Sequence, residues 1–190
     1  MGTFMPRPLV ILDRDGVINQ DSRQYIKHRD EWIPLPGAID AVARLAKAGY
    51  DVAIATNQSG IARGLTPMIE LEAMHERMTS LVDAAGGRLA YIAYCPHGPD
   101  DGCDCRKPLP GMLHRIAREL GHKRLDEAWM VGDSLRDLQA GEAAGTRLAL
   151  VLTGNGQETR PKLDALQHSE AVWVCDDLAD FVDRLLNEAA

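Results

Sequence analysis

The sequence predicts an α/β fold, a Rossmann-like three-layer sandwich in which helices cover both faces of a parallel sheet. Short apolar runs alternate with segments of helical periodicity along the whole chain. The runs are continuous rather than alternating in hydrophobicity, which is typical of strands buried on both faces. The chain has 190 residues, of which 45% are hydrophobic and 26% are charged, so one core of ordinary size can form. We therefore expect residues 1–190 to make a single domain.

Six apolar runs are the predicted strands. They occupy residues 9–12, 52–55, 89–93, 129–131, 148–152 and 172–174. Each is separated from the next by a segment long enough for a helical crossover. Strands that alternate with helices in this way form βαβ units, and the strands of such units pair in parallel.

Terminating residues mark the ends of the helices predicted between these strands. The first helix, residues 37–48, repeats apolar residues along one face and stops before Gly49. A second begins at Pro67, because Thr66 can act as the N-cap and proline is favoured at the first helical position. The remaining predicted helices are residues 110–120, 135–144 and 178–186.

Two segments do not fit the alternation of strands and helices. Residues 21–36 are largely polar, and residues 95–109 are rich in Pro, Gly, Cys and Asp. Long loops in a compact domain are usually functional, and ligands of such sheets bind beyond the carboxyl ends of the strands, where both segments begin. We expect these small loop insertions to face the site and leave no room for a large cap domain.

The overall charge excludes several classes of partner. The formal net charge is −7, from 21 Lys and Arg against 28 Asp and Glu. Nonspecific nucleic-acid binding and anionic membranes require a basic surface, so we expect neither partner. No apolar stretch approaches the ~20 residues of a membrane span, and residues 1–8 lack a signal core, so we expect a cytoplasmic protein. A small anionic ligand remains compatible, because placed cations or a metal can attract it locally.

Polar motifs follow four successive predicted strands. Asp13 and Asp15 come after the first, residues 56–60 after the second, residues 105–108 after the third, and residues 131–137 at the end of the fourth. Each motif alone also suits an ordinary turn, a solvated charge pair or a helix cap. Because parallel strands end at one edge of the sheet, the motifs would meet there. Together they supply what magnesium-assisted phosphoryl transfer through an aspartyl-phosphate requires.

These motifs, in this order, resemble those of the haloacid dehalogenase (HAD) superfamily. The resemblance extends over residues 8–186 and is closer to the branch of phosphatases that act on D-glycero-D-manno-heptose 1,7-bisphosphate. The related histidinol-phosphate phosphatases share the cysteine-rich loop and are the alternative. The stretches that carry the closer resemblance are residues 13–16, 56–64, 95–97, 103–108 and 111–113.

The resemblance implies a role for each residue of the core. Asp13 would be the nucleophile that attacks phosphorus. Asp15 would be the general acid that protonates the leaving alkoxide and then the base that activates water, as in phosphatases rather than dehalogenases. Thr56 and Lys107 would bind phosphoryl oxygens, and Arg106 would contact the substrate.

The resemblance also implies a magnesium site and a set of sugar contacts. Mg²⁺ would be held by Asp13, the backbone carbonyl of Asp15 and Asp133, while Asp137 would orient Lys107 or a metal-bound water. The candidates for contacts with the sugar or its second phosphate are Asp21, Ser22, Arg23, Gln24, Tyr25, Asn57, Gln58, Ser59, Arg63 and Ser134.

The cysteine-rich loop contains a complete ligand set for zinc. Cys95, His97, Cys103 and Cys105 supply three thiolates and one imidazole within eleven residues. Such clustering favours a metal site over a disulfide framework, and four protein ligands without an open position favour a structural Zn²⁺. The alternative is a metal-free loop with reduced cysteines. Cys175 lies on the last predicted strand and suits the core.

The resemblance thus implies a magnesium-dependent phosphatase that removes the C7 phosphate of the heptose bisphosphate, in the synthesis of nucleotide-activated heptose for the lipopolysaccharide core. The alternatives are a histidinol-phosphate phosphatase and a zinc-stabilised binding module without catalysis. The presence of both Asp13 and Asp15 favours an enzyme over a binding module. Nothing in the sequence requires more than a monomer acting on a small-molecule sugar phosphate.

Overall fold

A computed structural model describes residues 5–190, which fold around one six-stranded parallel sheet. The strands are β1 (Leu9–Leu12), β2 (Asp51–Asn57), β3 (Tyr91–Cys95), β4 (Trp129–Gly132), β5 (Arg147–Val151) and β6 (Trp173–Cys175). Their order across the sheet is β3-β2-β1-β4-β5-β6, the doubly wound order of Rossmann-like folds. The predicted fold class is confirmed.

Helices cover both faces of this sheet. They are α1 (Ala38–Lys47), α2 (Met68–Ala84), α3 (Gly111–Glu119), α4 (Leu135–Ala144), α5 (Gly156–Thr159) and α6 (Leu178–Ala189). Helices α1, α2 and α6 pack on one face, whereas α3 and α4 pack on the other. Within residues 5–190 no helix is both long and apolar enough to cross a membrane.

The central strand β1 shows how the sequence builds two cores at once. Its side chains point to alternate faces, so Val10 and Leu12 join the core beneath α1 and α6, while Leu9 and Ile11 join the core beneath α3. All four are at most 1% exposed. This burial on both faces explains the continuous apolar run, and it fixes the end of the strand immediately before Asp13.

Several element boundaries differ from the prediction. Strand β3 is shifted two residues along the chain from the predicted 89–93, because its register with β2 pairs Ala53 with Tyr91 and Asn57 with Cys95. Helix α2 begins at Met68, and Pro67 rather than Thr66 is the capping residue, with extended backbone. The short helix α5 was not predicted, because four residues are too few to show a period.

The segment 21–36 is fastened to α2 rather than forming a separate layer. The Arg29 guanidinium donates to both carboxylate oxygens of Glu70 at 3.0 and 3.1 Å. Arg77 donates to the carbonyl of Trp32 at 3.0 Å, and the Trp32 side chain is fully buried in the core. Within the described chain, this segment and residues 95–109 lie outside the alternation of strands and helices, and no large cap domain is present.

Candidate active site

The carboxyl ends of β1, β2 and β4 and the loop after β3 surround a cavity of about 300 Å³. The strands are parallel neighbours, so their ends necessarily lie along one edge of the sheet. Residues from all four predicted strand-end motifs line this cavity. The structure therefore brings together groups that are far apart in the sequence.

Lys107 lies between two carboxylates beside the cavity. Its Nζ is 3.0 Å from Oδ1 of Asp13 and 2.7 Å from Oδ1 of Asp137, and it donates to the carbonyl oxygen of Ala55 at 2.7 Å. Burial alone would lower the pKa of Lys107, but Asp13 and Asp137 outweigh it and hold that pKa above its usual value. The ammonium therefore stays charged although its side chain is 1% exposed.

Asp13 is the first side chain beyond β1. Its Oδ1 accepts hydrogen bonds from the backbone N–H of Arg14 at 2.8 Å and from Lys107 at 3.0 Å. Burial raises the pKa of Asp13 well above its usual value, the charge of Asp137 raises it further, and Lys107 offsets only part of this. An ionised Asp13 therefore requires a second positive charge nearby.

Asp133, at the end of β4, is held by the turn that follows β5. Its Oδ2 accepts from the backbone N–H of Asn155 at 2.8 Å, and its backbone carbonyl accepts from the Thr159 hydroxyl at 2.7 Å. Gly16 approaches the same carboxylate so closely, with φ of +84°, that a Cβ there would collide with it. Burial and then repulsion from Asp137 raise the pKa of Asp133 to about 7.

The carboxylates of this site outnumber its buried cations. Oxygen atoms of Asp13, Asp133 and Asp137 lie within 4.8 Å of one another, close to the span of about 4.2 Å across an octahedral Mg²⁺. Oxygen-only ligands with excess negative charge are the set that a hard divalent cation prefers. We define these three residues as the carboxylate cluster, and its donor chemistry and charge fit Mg²⁺.

Asp15 has a different environment from Asp13. Its Oδ1 accepts from Arg14 Nε and Nη2 at 2.9 and 2.8 Å and from Asn19 Nδ2 at 2.9 Å, while Oδ2 accepts from Gln58 Nε2 at 3.1 Å. Burial would raise the pKa of Asp15, but the Arg14 charge and these hydrogen bonds hold it below its usual value. The surroundings of these two carboxyls, two residues apart, thus shift their pKa values in opposite directions.

Every side chain predicted for catalysis or substrate binding lines the cavity except Thr56 and Gln24. The Thr56 hydroxyl is buried behind Gln58 and accepts from its Nε2 at 2.9 Å. Gln24 is exposed, and its backbone N–H donates to the Ser22 hydroxyl at 3.1 Å. Asn57 lines the cavity, but its amide also pairs with the backbone N–H and carbonyl of Lys107 at 3.0 and 3.1 Å.

Several residues at the site were not predicted. Arg136 and Asn155 line the cavity, and the Asn155 amide donates to Asp21 at 3.1 Å. Asn155 follows β5, so the strand-end rule that selected the other motifs, applied to the fifth strand, would have found it. Arg14 contacts Asp15 on the side away from the cavity, and His75 contacts Arg14 in turn. No local sequence pattern indicates this role of His75, because Arg14 is 61 residues away.

The cysteine-rich loop gathers its four predicted ligands. Cys95 Sγ lies 3.7 Å from Cys103 Sγ and 3.1 Å from Cys105 Sγ, and His97 Nδ1 lies 3.3 Å from Cys105 Sγ. Ligands at about 2.3 Å from a tetrahedral Zn²⁺ would be separated by about 3.8 Å, close to these values. Burial and the neighbouring thiols raise the pKa of Cys105 to about 12, so three thiolates need a cation. We name these residues the thiolate cluster, and its donor set fits zinc.

Comparisons with known proteins agree with this geometry. A family model described as HAD-hydrolase-like matches residues 104–181. The chain is 54% identical over 182 residues to the D-glycero-beta-D-manno-heptose-1,7-bisphosphate 7-phosphatase of Pseudomonas aeruginosa, covering 96% of this chain and 99% of that protein. It is 53% identical over 180 residues to the protein of the same name from Pseudomonas putida, covering 94% and 99%.

A solved structure shows the same fold. It is the D,D-heptose 1,7-bisphosphate phosphatase of Bordetella bronchiseptica complexed with magnesium and phosphate, with a TM-score of 0.88 and 51% identity. The match covers 95% of this chain and 99% of that structure.

The sheet order and the strand-end carboxylates around a buried lysine define a HAD-type hydrolase, and the chain belongs to this family. Within the family it is a phosphatase, an enzyme that hydrolyses phosphoric monoesters. The predicted resemblance is confirmed, and a binding module without catalysis is excluded.

Proposed function

We propose that this phosphatase removes the C7 phosphate of D-glycero-D-manno-heptose 1,7-bisphosphate through an aspartyl-phosphate intermediate. The reaction would serve the synthesis of nucleotide-activated heptose for the lipopolysaccharide core. The observation that carries the proposal is the placement of Asp13, Asp15 and Lys107 on one cavity, in a chain 54% identical to a relative of that name. The relatives are named for the β anomer, which is therefore the anomer to test first.

Asp13 is the proposed nucleophile because of how its two oxygens are used. Both hydrogen bonds that the carboxylate accepts within the described chain reach Oδ1, from Arg14 and Lys107. This leaves Oδ2 for attack on phosphorus, with Lys107 close enough to offset charge on the phosphoryl group. In the form of the enzyme in which Asp15 is protonated, this proton passes to the leaving oxygen as the P–O bond to the sugar breaks. The same carboxylate then takes a proton from the water that attacks the aspartyl-phosphate.

Mg²⁺ is the proposed cofactor of the carboxylate cluster. Asp13, Asp133 and the backbone carbonyl of Asp15 would hold it, and Asp137 would stay on Lys107 and the Ser134 N–H. Mg²⁺ held there would offset the excess carboxylate charge and supply a Lewis acid for the phosphoryl group. Asn155 and Gly16 keep Asp133 in place for this purpose.

Arginines on the outer part of the cavity support a substrate with a second phosphate. Arg23, Arg63, Arg106 and Arg136 all line it. The Arg63 guanidinium lies over the Tyr25 ring at 5.7 Å from its centroid, and Tyr25 adopts a left-handed backbone with φ of 65°. A guanidinium stacked on an aromatic ring keeps its N–H groups free for phosphate oxygens. We propose that these cations bind the C1 phosphate while C7 reacts.

Zinc is the proposed structural metal of the thiolate cluster. The Arg106 Nη1 donates to the carbonyl of His97 at 3.3 Å, so the loop supports a cation that lines the cavity. Four protein ligands leave no position open for water, so the metal would order the loop and take no part in hydrolysis. We further propose that the enzyme acts as a monomer in the cytoplasm.

Phosphate release from heptose 1,7-bisphosphate and from histidinol phosphate, measured side by side with Mg²⁺, tests the proposal. We expect kcat/KM to be at least about 100-fold higher for the heptose ester. Histidinol phosphate has an ammonium group in place of the second phosphate, and the arginines would repel it. Analysis of the product should show phosphate retained at C1. Equal turnover of the two esters, or release of the C1 phosphate, would contradict the proposed substrate.

A further inference from the structure

Arg14 stands between the two aspartates of the first motif, and its side chain is fully buried. Its guanidinium uses Nε and Nη2 on Oδ1 of Asp15, at 2.9 and 2.8 Å. The remaining nitrogen, Nη1, lies 3.3 Å from Nε2 of His75 and 3.7 Å from Sδ of Met74. A buried guanidinium needs partners for its N–H groups, and here one face is occupied by the proposed acid and the other by helix α2.

His75 is the polar partner on α2. It is 9% exposed and lies on the inner side of the helix with Met74 and Met78. A guanidinium only donates hydrogen bonds, so Nε2 of His75 accepts and the ring proton resides on Nδ1. Burial and the charge of Arg14 lower the pKa of His75 to about 3, so the ring remains a neutral acceptor at physiological pH.

We propose that His75 is a positioning residue that acts through Arg14 to fix the carboxyl group of Asp15. The inference deepens the proposed function, because it assumes that Asp15 is the general acid and base. Without His75 the buried Nη1 would lose its polar acceptor. The guanidinium would then turn toward another acceptor. Because it is hydrogen-bonded to Asp15 through Nε and Nη2, the carboxyl group of Asp15 would lose its present orientation.

The two oxygens of Asp15 show why this orientation matters. Oδ1 accepts three N–H groups, two from Arg14 and one from Asn19, whereas Oδ2 accepts one from Gln58. A proton that moves to the leaving alkoxide must therefore reside on Oδ2. It passes to the alkoxide as the P–O bond breaks, and Oδ2 recovers a proton from the attacking water. Rotation of the carboxyl would instead turn Oδ1, which carries no transferable proton, toward the substrate.

Two amide substitutions of different length test the proposal. In His75→Gln the side-chain oxygen can reach the position of Nε2, whereas in His75→Asn it is too short. The readout is kcat/KM for an alkyl phosphate, either the heptose ester or the best alkyl ester that the wild type accepts, beside kcat/KM for p-nitrophenyl phosphate. Departure of p-nitrophenolate needs no acid, and kcat/KM covers only the steps up to departure of the leaving group.

We expect His75→Asn to lower kcat/KM for the alkyl ester about 30-fold, which is part of the 10²–10⁴-fold that a positioned acid contributes. For the aryl ester the loss should be less than about 3-fold. His75→Gln should restore the alkyl ester to within about 3-fold of the wild type. The control is Met78→Leu, a volume-conserving change one turn along α2 that should leave the ratio of the two esters unchanged.

An equal loss on both esters in His75→Asn would mean that His75 only stabilises the fold, and would overturn the proposal. A glutamine variant no better than the asparagine variant would overturn it as well. If His75→Asn does not fold, His75→Leu gives the same test, because it also removes the acceptor for Nη1 of Arg14 while it keeps an apolar side chain of similar size in the core. A wild type that hydrolyses other alkyl esters but not the heptose ester would contradict the proposed substrate alone.

Discussion

The carboxylate cluster and the thiolate cluster bring their side chains together in opposite ways. Asp13, Asp133 and Asp137 come from opposite halves of the sequence and are almost wholly buried. The four thiolate-cluster residues lie within residues 95–105, and three of them are partly exposed. The parallel sheet positions the first set, whereas a short loop must position the second. A change in the first cluster should therefore alter chemistry, and a change in the second should alter local order.

The two clusters also differ in how their negative charge is offset. Lys107 contacts two members of the carboxylate cluster, so this set already holds a buried cation before any metal binds. The side chains of the thiolate cluster instead contact one another through their thiols and the imidazole of His97. We therefore expect that a metal bound there would contribute directly to folding of the loop. The four predictions below test this contrast, from the largest expected effect to the smallest.

Asp13→Asn should lower turnover at least about 10⁴-fold, because an amide is nearly isosteric with the carboxylate but a poor nucleophile. The melting temperature should stay within about 3 °C of the wild type, because the change also relieves carboxylate repulsion. Phosphate release and thermal unfolding measure the two effects. The control is Asp126→Asn, an exposed carboxylate that should affect neither. Near-normal turnover by Asp13→Asn would rule out the covalent mechanism.

Chelation of divalent cations should stop turnover reversibly and affect the two clusters unequally. Brief treatment with EDTA should lower phosphate release at least about 10³-fold, because the oxygen site exchanges its hard cation readily. Added Mg²⁺ should restore activity, while zinc stays bound at one per chain by elemental analysis. Full activity after removal of magnesium would show that the carboxylate cluster functions without a metal.

Cys103→Ala should lower kcat/KM about 10-fold and the melting temperature by about 5 °C, because part of the metal-binding free energy that orders the loop is lost. Both effects should appear together, since Arg106 follows the loop directly. The control is Cys175→Ala, a buried cysteine outside the cluster, which should lower stability but leave one zinc per chain. A loss of turnover at unchanged stability would instead indicate a catalytic zinc.

Arg63→Gln changes a residue of neither cluster and should have the smallest overall effect, because it should alter substrate binding without lowering stability. We expect KM for the bisphosphate to rise about 10-fold, the usual worth of one charge-assisted hydrogen bond, with kcat nearly unchanged. KM for a sugar monophosphate should not change, because that ester lacks the second phosphate. Arg118→Gln, at an exposed position on α3, is the matched control. An equal rise for both esters would remove Arg63 from the proposed C1-phosphate site.

Local patterns predicted most of the fold and much of the site for a simple reason. A strand buried on both faces must be followed by residues that leave the core, so Asp13 and Asp133 could be placed at one edge from the apolar runs alone. The ligands of the thiolate cluster could be identified because their spacing is itself the signal. The start of α2 was one residue off, since Thr66 and Pro67 both satisfy the capping pattern.

The remaining residues depend on contacts that no local pattern encodes. Nothing in the helix around His75 indicates that Arg14 lies opposite it. Likewise, nothing in the local sequence around Thr56 indicates that its hydroxyl accepts a hydrogen bond from the side chain of Gln58. Such pairings follow from how a loop folds back over a strand end, which is decided by tertiary packing.

The pairing of Asn57 with Lys107 has a consequence for how the phosphatase could tolerate change. The Asn57 amide accepts from the N–H and donates to the carbonyl of Lys107, as a neighbouring strand would. The backbone of Lys107 is therefore attached to the end of β2 as well as to the loop that carries the thiolate cluster. Residues 98–102 could vary in length or sequence with little loss of the lysine's position. Because these residues do not line the cavity, a change among them should leave the groups around the reacting phosphate in place.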